Sequence, residues 1–303
     1  MKKTLIALVG PTAVGKTSTA INIAKQLDAE IISSDSRQFY KEISIGTAKP
    51  TELELKQVPH HFINHLSIGE DYNASKFENE VIEFLDEYFK NKDTVILCGG
   101  SGMYNDAVIK GFDKEIPTAD ATFREKLKQE YDEKGLSHLQ NLLLDVDPKA
   151  YENIDIHNSK RLMRAIEICK LTGKTNAEVK KGIVKKRDFD IIQIGLELPR
   201  SLLYNRINQR VEIMIREGLL EEVKSVLPFR EKNALKTVGY KEIFDYLDGT
   251  ITWELSVEKI KTNSRRYAKR QLTWFKRNEK IMWFSPNEIN KISKYIRKTI
   301  QNT

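Results

Sequence analysis

The chain is 303 residues long, 40% hydrophobic and 31% charged, with a formal charge of +7 from 50 Lys/Arg against 43 Asp/Glu; such a length can build a full-sized core in two lobes of unequal size. No stretch approaches the roughly 20 apolar residues that span a bilayer, and Leu5–Val9 is too short for the apolar centre of a signal peptide, which argues against membrane and secreted classes and for a cytoplasmic protein. The only cysteines, Cys98 and Cys169, lie far apart, so neither a disulfide framework nor a Cys-based zinc site can be assembled.

The predicted elements open as an α/β unit. Thr4–Val9 is a short apolar run, Gly10–Gly15 a turn-rich loop, and Thr17–Leu27 an amphipathic helix with Ala20, Ile23, Ala24 and Leu27 on one face. A second run, Glu30–Ser34, ends at Asp35, and a third, Thr94–Cys98, ends at Gly99-Gly100. Strands separated by helices predict parallel crossovers and a doubly wound sheet, with ligands beyond the carboxyl ends of the strands. Between Asp113 and Asp188 strand signals vanish, and helical periodicity appears around Thr122–Tyr131, His138–Leu144 and Arg161–Leu171, punctuated by Pro117, Pro148 and Gly173. Phe189–Leu198 returns to a buried-strand pattern. Residues 113–188 are therefore predicted to be a helical insertion in a P-loop-type α/β core made of residues 1–112 and 189–303.

Pro199 marks a helix start, Leu202–Leu227 is predicted to be helical with a break near Gly218, and a long helix is predicted over Val257–Arg277. This last third is basic. Residues 1–200 hold 29 Lys/Arg against 31 Asp/Glu, whereas residues 201–303 hold 21 against 12. Between Lys261 and Lys280 eight cations face one acid, Glu279. Such a stripe points to a polyanion, nucleic acid first, and the plainer alternative is a solvated helix face.

Gly10-Pro11-Thr12-Ala13-Val14-Gly15-Lys16-Thr17 fits G-x-x-x-x-G-K-[ST] between a strand and a helix. Backbone N–H groups of such a loop bind phosphate oxygens, Lys16 adds a point charge, and the Thr17 hydroxyl can hold Mg²⁺. A P-loop NTPase usually has an Asp after an apolar strand for its metal, yet Thr94–Cys98 runs into Gly99-Gly100-Ser101-Gly102. The acid instead follows the second strand, in Asp35-Ser36-Arg37-Gln38. That position suits a base for an acceptor substrate, with a strand-end turn or helix cap as the plainer reading. His60 and His61 have no third ligand nearby in sequence, so a structural or substrate-shaping role is expected before zinc.

Together these segments resemble the bacterial tRNA dimethylallyltransferase (tRNA isopentenyltransferase) family. The matching stretches are Gly10–Thr17, Asp35–Pro50 (DSRQFYKEISIGTAKP), Val58–Ile63 (VPHHFI), Gly99–Tyr104 (GGSGMY), Arg161–Lys174 (RLMRAIEICKLTGK), Val238–Glu242 (VGYKE) and Arg265–Trp274 (RRYAKRQLTW), in the family's order. The resemblance implies transfer of the dimethylallyl group from dimethylallyl diphosphate to the exocyclic N6 amine of the adenine 3′ of a tRNA anticodon, with release of pyrophosphate. It implies that residues Gly10–Thr17 hold the diphosphate, with Mg²⁺ on Thr17, and it favours Arg206 over Arg210 as a further cation there. Asp35 would accept the amine proton, and Ser101, where the family usually has Thr, would lie by the reacting base.

A flipped base would enter a pocket between the lobes, contacted by Asp35, Ser36, Arg37 and Gln38; Arg37 departs from the commoner apolar residue there. Further tRNA contacts implied by the resemblance are Arg124, Lys160, Arg161, Leu162, Met163 and Arg164 on the anticodon stem-loop, then Lys236, Thr237, Val238, Gly239, Tyr240 and Lys241, and finally Arg265, Arg266 and Arg270. Rings at helical spacing pack more often than they stack on bases, so Tyr267 and Trp274 are expected in the core. No coiled-coil heptad is visible, and a monomer is expected. The rival readings are an adenylate isopentenyltransferase acting on free nucleotides, a P-loop nucleotide or metabolite kinase, and a non-catalytic RNA-binding protein.

Overall fold

The structure, a computed structural model, describes residues 2–111, 120–182 and 184–302. It divides into two compact units, Met1–Ile109 with Arg187–Thr303, and Lys110–Lys186. The predicted domain start at residue 113 and the predicted break at Pro117 lie outside the described residues.

In the larger unit six strands form one parallel sheet in the order β3-β2-β4-β1-β5-β6. They are β1 (Thr4–Val9), β2 (Glu30–Ser33), β3 (His60–His61), β4 (Thr94–Gly99), β5 (Asp190–Leu196) and β6 (Met282–Phe284). The predicted strands are all present, and β3 and β6, two and three residues long, are too short to carry a period. The helices preceding the smaller unit's own are α1 (Lys16–Leu27), α2 (Glu52–Leu55), α3 (Ala74–Tyr88) and α4 (Gly102–Lys110). The smaller unit contains α5 (Ala121–Lys134), α6 (Leu136–Val146), α7 (Pro148–Asn153), α8 (Ser159–Thr172) and α9 (Asn176–Val179). After it come α10 (Arg200–Arg216), α11 (Leu219–Ser225), α12 (Tyr240–Leu247), α13 (Trp253–Phe275) and α14 (Ile289–Asn302). Among the described residues no helix is long and apolar enough to cross a membrane.

Side chains alternate across a strand, so β1 feeds two cores. Leu5 and Ala7 pack on one face with Phe77, Val81 and Leu85 of α3, while Ile6 and Leu8 pack on the other with Ile21, Ile23 and Ala24 of α1. All six residues of β1 are buried, and each large aliphatic side chain so buried contributes about 1.5–3 kcal/mol. Where the chain returns from the smaller unit, Arg187 pairs with buried Glu78 at 3.0 Å and donates to the carbonyls of Ala107 and Val108. Those acceptors on Nε and Nη2 offset the burial of its charge.

The smaller unit packs around Leu127, Leu139, Leu143, Leu162, Ala165 and Ile166. Its buried Glu167 accepts from the Asp120 amide at 2.9 Å, from Arg124 at 3.0 Å and from Arg164. This arrangement corrects part of the expected tRNA surface. Leu162 is fully buried and Met163 packs against the same core, because an amphipathic helix turns one stripe inward whatever its other face does. Arg124 and Arg164 are engaged with Glu167, whereas Lys160 and Arg161 are exposed. Leu162→Ala should destabilise the protein by about 2–5 kcal/mol, measured as a shift in urea-induced loss of helical circular dichroism; a wild-type transition would contradict the core assignment.

Candidate active site

The order β2-β4-β1 brings three strand ends side by side, each about 4.8 Å from the next. Register fixes them further: Val9 lies opposite Gly99, and Ser33 opposite Cys98. The loop Gly10–Gly15 after β1, Asp35 after β2 and Gly99-Gly100-Ser101 after β4 therefore meet at one edge of the sheet. Between them and the helices lies a cavity of about 350 Å³, whose lining includes Thr12, Lys16, Thr17, Asp35, Cys98 and Gly99.

Gly15 takes φ 109°, a conformation that strains any residue with a Cβ, and it opens α1 with no side-chain cap. The first amides of that helix have no partners within it and face the loop's ligand position. Lys16 Nζ curls back to donate to the Pro11 carbonyl at 2.8 Å. Burial lowers the Lys16 ammonium to a pKa of about 8, against the opposing pull of Cys98 and Asp35. Burial also pushes the Cys98 thiol up to about 11.

Asp35 Oδ1 accepts from the Arg37 amide at 3.0 Å, so this carboxylate closes a local turn while lining the cavity. Ser101 Oγ accepts from the Ser36 amide at 3.1 Å and donates to Ser36 Oγ at 3.2 Å. Gln38 is committed to structure: its amide nitrogen donates to the carbonyls of Thr47 and Ala48, and its oxygen accepts from Ser33 Oγ.

Two antiparallel helices wall the cavity. Asn208 of α10 meets Arg265 of α13 at 2.7 Å, and Glu212 meets Lys261 at 3.2 Å. Ile207, Arg210, Val211 and Met214 line the cavity from α10, and Ile260, Ser264, Tyr267 and Gln271 from α13. Arg206 lies beside the loop, donating to the Val14 carbonyl at 3.2 Å, while Arg210 one turn on lines the cavity. Burial lowers the Arg210 pKa, and Asp35 opposes that shift.

Gln271 joins the parts. Its oxygen accepts from the Thr12 amide at 2.8 Å, and its nitrogen donates to the Gly100 carbonyl at 2.9 Å. A Cβ at Gly100 would sit 2.2 Å from that nitrogen, so only glycine admits the contact.

Several expectations need correction. Tyr267 and Trp274 are 36% and 41% exposed, outside the core. The Tyr267 ring lines the cavity with its hydroxyl bonded to Ser101, and Trp274 donates to Asp106 at 3.1 Å. Tyr240 is fully buried and bonds to Glu222 at 2.6 Å, which removes it from an exposed tRNA surface. Its neighbours Thr237, Val238 and Gly239 line the cavity, while Lys236 and Lys241 are exposed. Arg265 is spent on Asn208 and Thr262, and Lys261 on Glu212 and Glu258. Arg266, Lys269 and Arg270 are exposed. His60 and His61 form β3, where His61 Nε2 lies 2.6 Å from Glu30.

Gln271 is not singled out by sequence, and Tyr267 is assigned by it to the core instead of the cavity. The available signal was the spacing of Ile260, Ser264, Tyr267 and Gln271 along one face of a helix whose charge dominates it.

A loop of the G-x-x-x-x-G-K-T pattern, a carboxylate and paired hydroxyls at the carboxyl edge of a doubly wound parallel sheet define a P-loop-type α/β protein. A family model described as IPP transferase matches residues 38–278. The chain is 49% identical to tRNA dimethylallyltransferase 1 of Bacteroides fragilis over 99% of both chains, and 44% identical to the tRNA dimethylallyltransferase of Cytophaga hutchinsonii over 99% of both. Among solved structures, the tRNA isopentenylpyrophosphate transferase of Bacillus halodurans superposes with a TM-score of 0.75 at 38% identity, covering 99% of this chain and 98% of that one. A eukaryotic dimethylallyltransferase acting on tRNA gives a TM-score of 0.77 at 26% identity, covering 95% and 75%. The chain belongs to the IPP transferase family.

Gln271→Leu strips partners from the Thr12 amide and the Gly100 carbonyl, and an unpaired buried group costs about 1–3 kcal/mol. Affinity for inorganic pyrophosphate, measured by calorimetry, should fall about tenfold or more; unchanged affinity would show that the loop holds its shape without α13.

Proposed function

We propose that the protein transfers the dimethylallyl group from dimethylallyl diphosphate to the N6 amine of the adenine 3′-adjacent to a tRNA anticodon and releases pyrophosphate. The observation that carries this reading is that Lys16 of a phosphate-binding loop and the carboxylate of Asp35 line one cavity. In the proposed step the bond between C1 of the donor and its diphosphate oxygen breaks as the adenine nitrogen bonds to C1. The proton lost from nitrogen passes to Asp35, and the loop amides, Lys16 and Arg210 stabilise the negative charge of the departing pyrophosphate. Ser101, held by Ser36 and Tyr267, would orient the base.

Mg²⁺ fits this donor set. The ion keeps several waters and uses one or two protein oxygens beside substrate phosphates, and the Thr17 hydroxyl at the start of α1 is such an oxygen in the cavity wall. When bound, it supplies charge neutralisation on the diphosphate. Arg266, Lys269, Arg270, Lys236 and Lys241 of the larger unit, with Lys160 and Arg161 of the smaller, are exposed cations suited to tRNA phosphates. A tRNA acceptor fits work in the cytoplasm, and a monomer is the form proposed. Labelled donor incubated with tRNA, AMP or no acceptor, with ATP as a parallel donor, separates the readings. Product on tRNA alone is expected, and tRNA-stimulated phosphate release from ATP would favour a kinase or NTPase.

Asp35→Asn keeps the shape and removes the base. It should lower kcat by about 10²–10⁴ with both substrates still bound; wild-type kcat at saturation would end the base assignment. Lys16 carries its charge below its pKa of about 8, and anion binding favours the charged form. Donor kcat/KM should therefore fall as pH rises through that value, on the order of tenfold per unit beyond it. Lys16→Arg, charged throughout, should lose this limb; a limb that persists would belong to another group.

A further inference from the structure

Glu222 of α11 lies outside the reacting groups yet gathers four hydrogen bonds. One oxygen accepts from the amides of Ser44 and Ile45, each at 2.7 Å. The other accepts from the Gly46 amide at 2.9 Å and the Tyr240 hydroxyl at 2.6 Å. Three consecutive backbone amides thus converge on one carboxylate, whose two charged oxygens accept all of them. A Cβ on Gly46 would stand 2.6 Å from the Tyr240 ring, so the loop closes on that ring because residue 46 has no side chain.

The clamped segments are cavity wall. Gly46, Thr47 and Ala48 line it directly, and so do Thr237, Val238 and Gly239, which lead into Tyr240. Gly46 meets Tyr240, a member of the core cluster that also supplies apolar lining. Arg206 marks the part of α10 beside the phosphate loop, and Met214, eight residues on, lies about 12 Å further along the axis at 1.5 Å per residue. Met214, Leu219, Val238 and Ile260 line that far part, and each belongs to or packs against the core cluster that contains Tyr240.

We infer that Glu222 is a positioning residue that fixes the apolar end of the cavity and thereby sets the length of isoprenoid chain the donor can carry. The inference rests on the transferase reading given above. A diphosphate seated on the loop projects its chain toward Met214 and Gly46–Ala48, and a longer chain needs that wall to move. Glu222→Gln is the informative change, because glutamine offers one acceptor oxygen and turns an NH₂ group toward N–H donors.

The test compares dimethylallyl and geranyl diphosphate as donors to tRNA for the wild-type protein, Glu222→Gln and Tyr240→Phe, with inorganic pyrophosphate as competitor. For Glu222→Gln, the dimethylallyl KM should rise about tenfold. The ratio of geranyl to dimethylallyl kcat/KM should rise as well, while pyrophosphate inhibition and tRNA affinity stay at wild-type values. Tyr240→Phe removes one of the four bonds and should shift the ratio in the same direction by less, which keeps the test decisive if Glu222→Gln fails to fold. A wild-type donor ratio in both variants, or in a folded Glu222→Gln alone, overturns the inference. Equal weakening of pyrophosphate and donor also overturns it, since the effect then lies at the phosphate loop. If the wild-type protein transfers no prenyl group at all, the transferase reading itself fails and takes this inference with it.

Discussion

Gln271 is the side chain through which the site becomes a single object. Its two hydrogen bonds tie α13 to the phosphate loop at Thr12 and to the β4 turn at Gly100. A carboxamide is the group that can do both, accepting on one atom and donating on the other. Once it is seated, the rest of that helix face is fixed: Tyr267 and Ser264 face the cavity, and Ile260 reaches the far core. The cations on the opposite face are then fixed as well.

The charge stripe of α13 is accordingly two populations. Lys261 and Arg265 bind Glu212 and Asn208 and so join α13 to α10. Lys276 pairs with Glu197 at 2.6 Å and lies over the Trp283 ring. Arg266, Lys269, Arg270, Arg277 and Lys280 remain exposed. Within this last group Arg266 donates to Asn263 at 3.3 Å and Arg270 lies over the Tyr267 ring, contacts on their own helix that leave the group suited to phosphates. Helix periodicity alone separates the populations poorly, because long cationic side chains can serve either neighbour.

Carboxylates play a similar organising part away from the chemistry. Glu222 draws together the amides of residues 44–46 and Tyr240, and Glu167 gathers Arg124, Arg164 and the Asp120 amide in the smaller unit. Each is stable because its lone pairs are filled by donors. Both recruit residues that resemblance would give to tRNA. The same residue types can thus be read as ligand contacts or as scaffold until the partner is seen.

The sequence by itself determined the local features. The apolar runs β1, β2, β4 and β5, the loop Gly10–Thr17, the carboxylate at Asp35 and the helical character of the middle segment depend on residues near one another in the chain, where period and turn chemistry act. The order of those signals, with the family resemblance, also indicated the activity. Tertiary structure alone decided what lies across the cavity: that Arg210 and not Arg206 lines it, that Tyr240 and Leu162 are core, that Tyr267 is not, and that Gln271 and Glu222 hold its walls. These outcomes turn on contacts between residues 18 to 259 positions apart. No local period encodes which face of a helix will meet a loop from the other end of the chain.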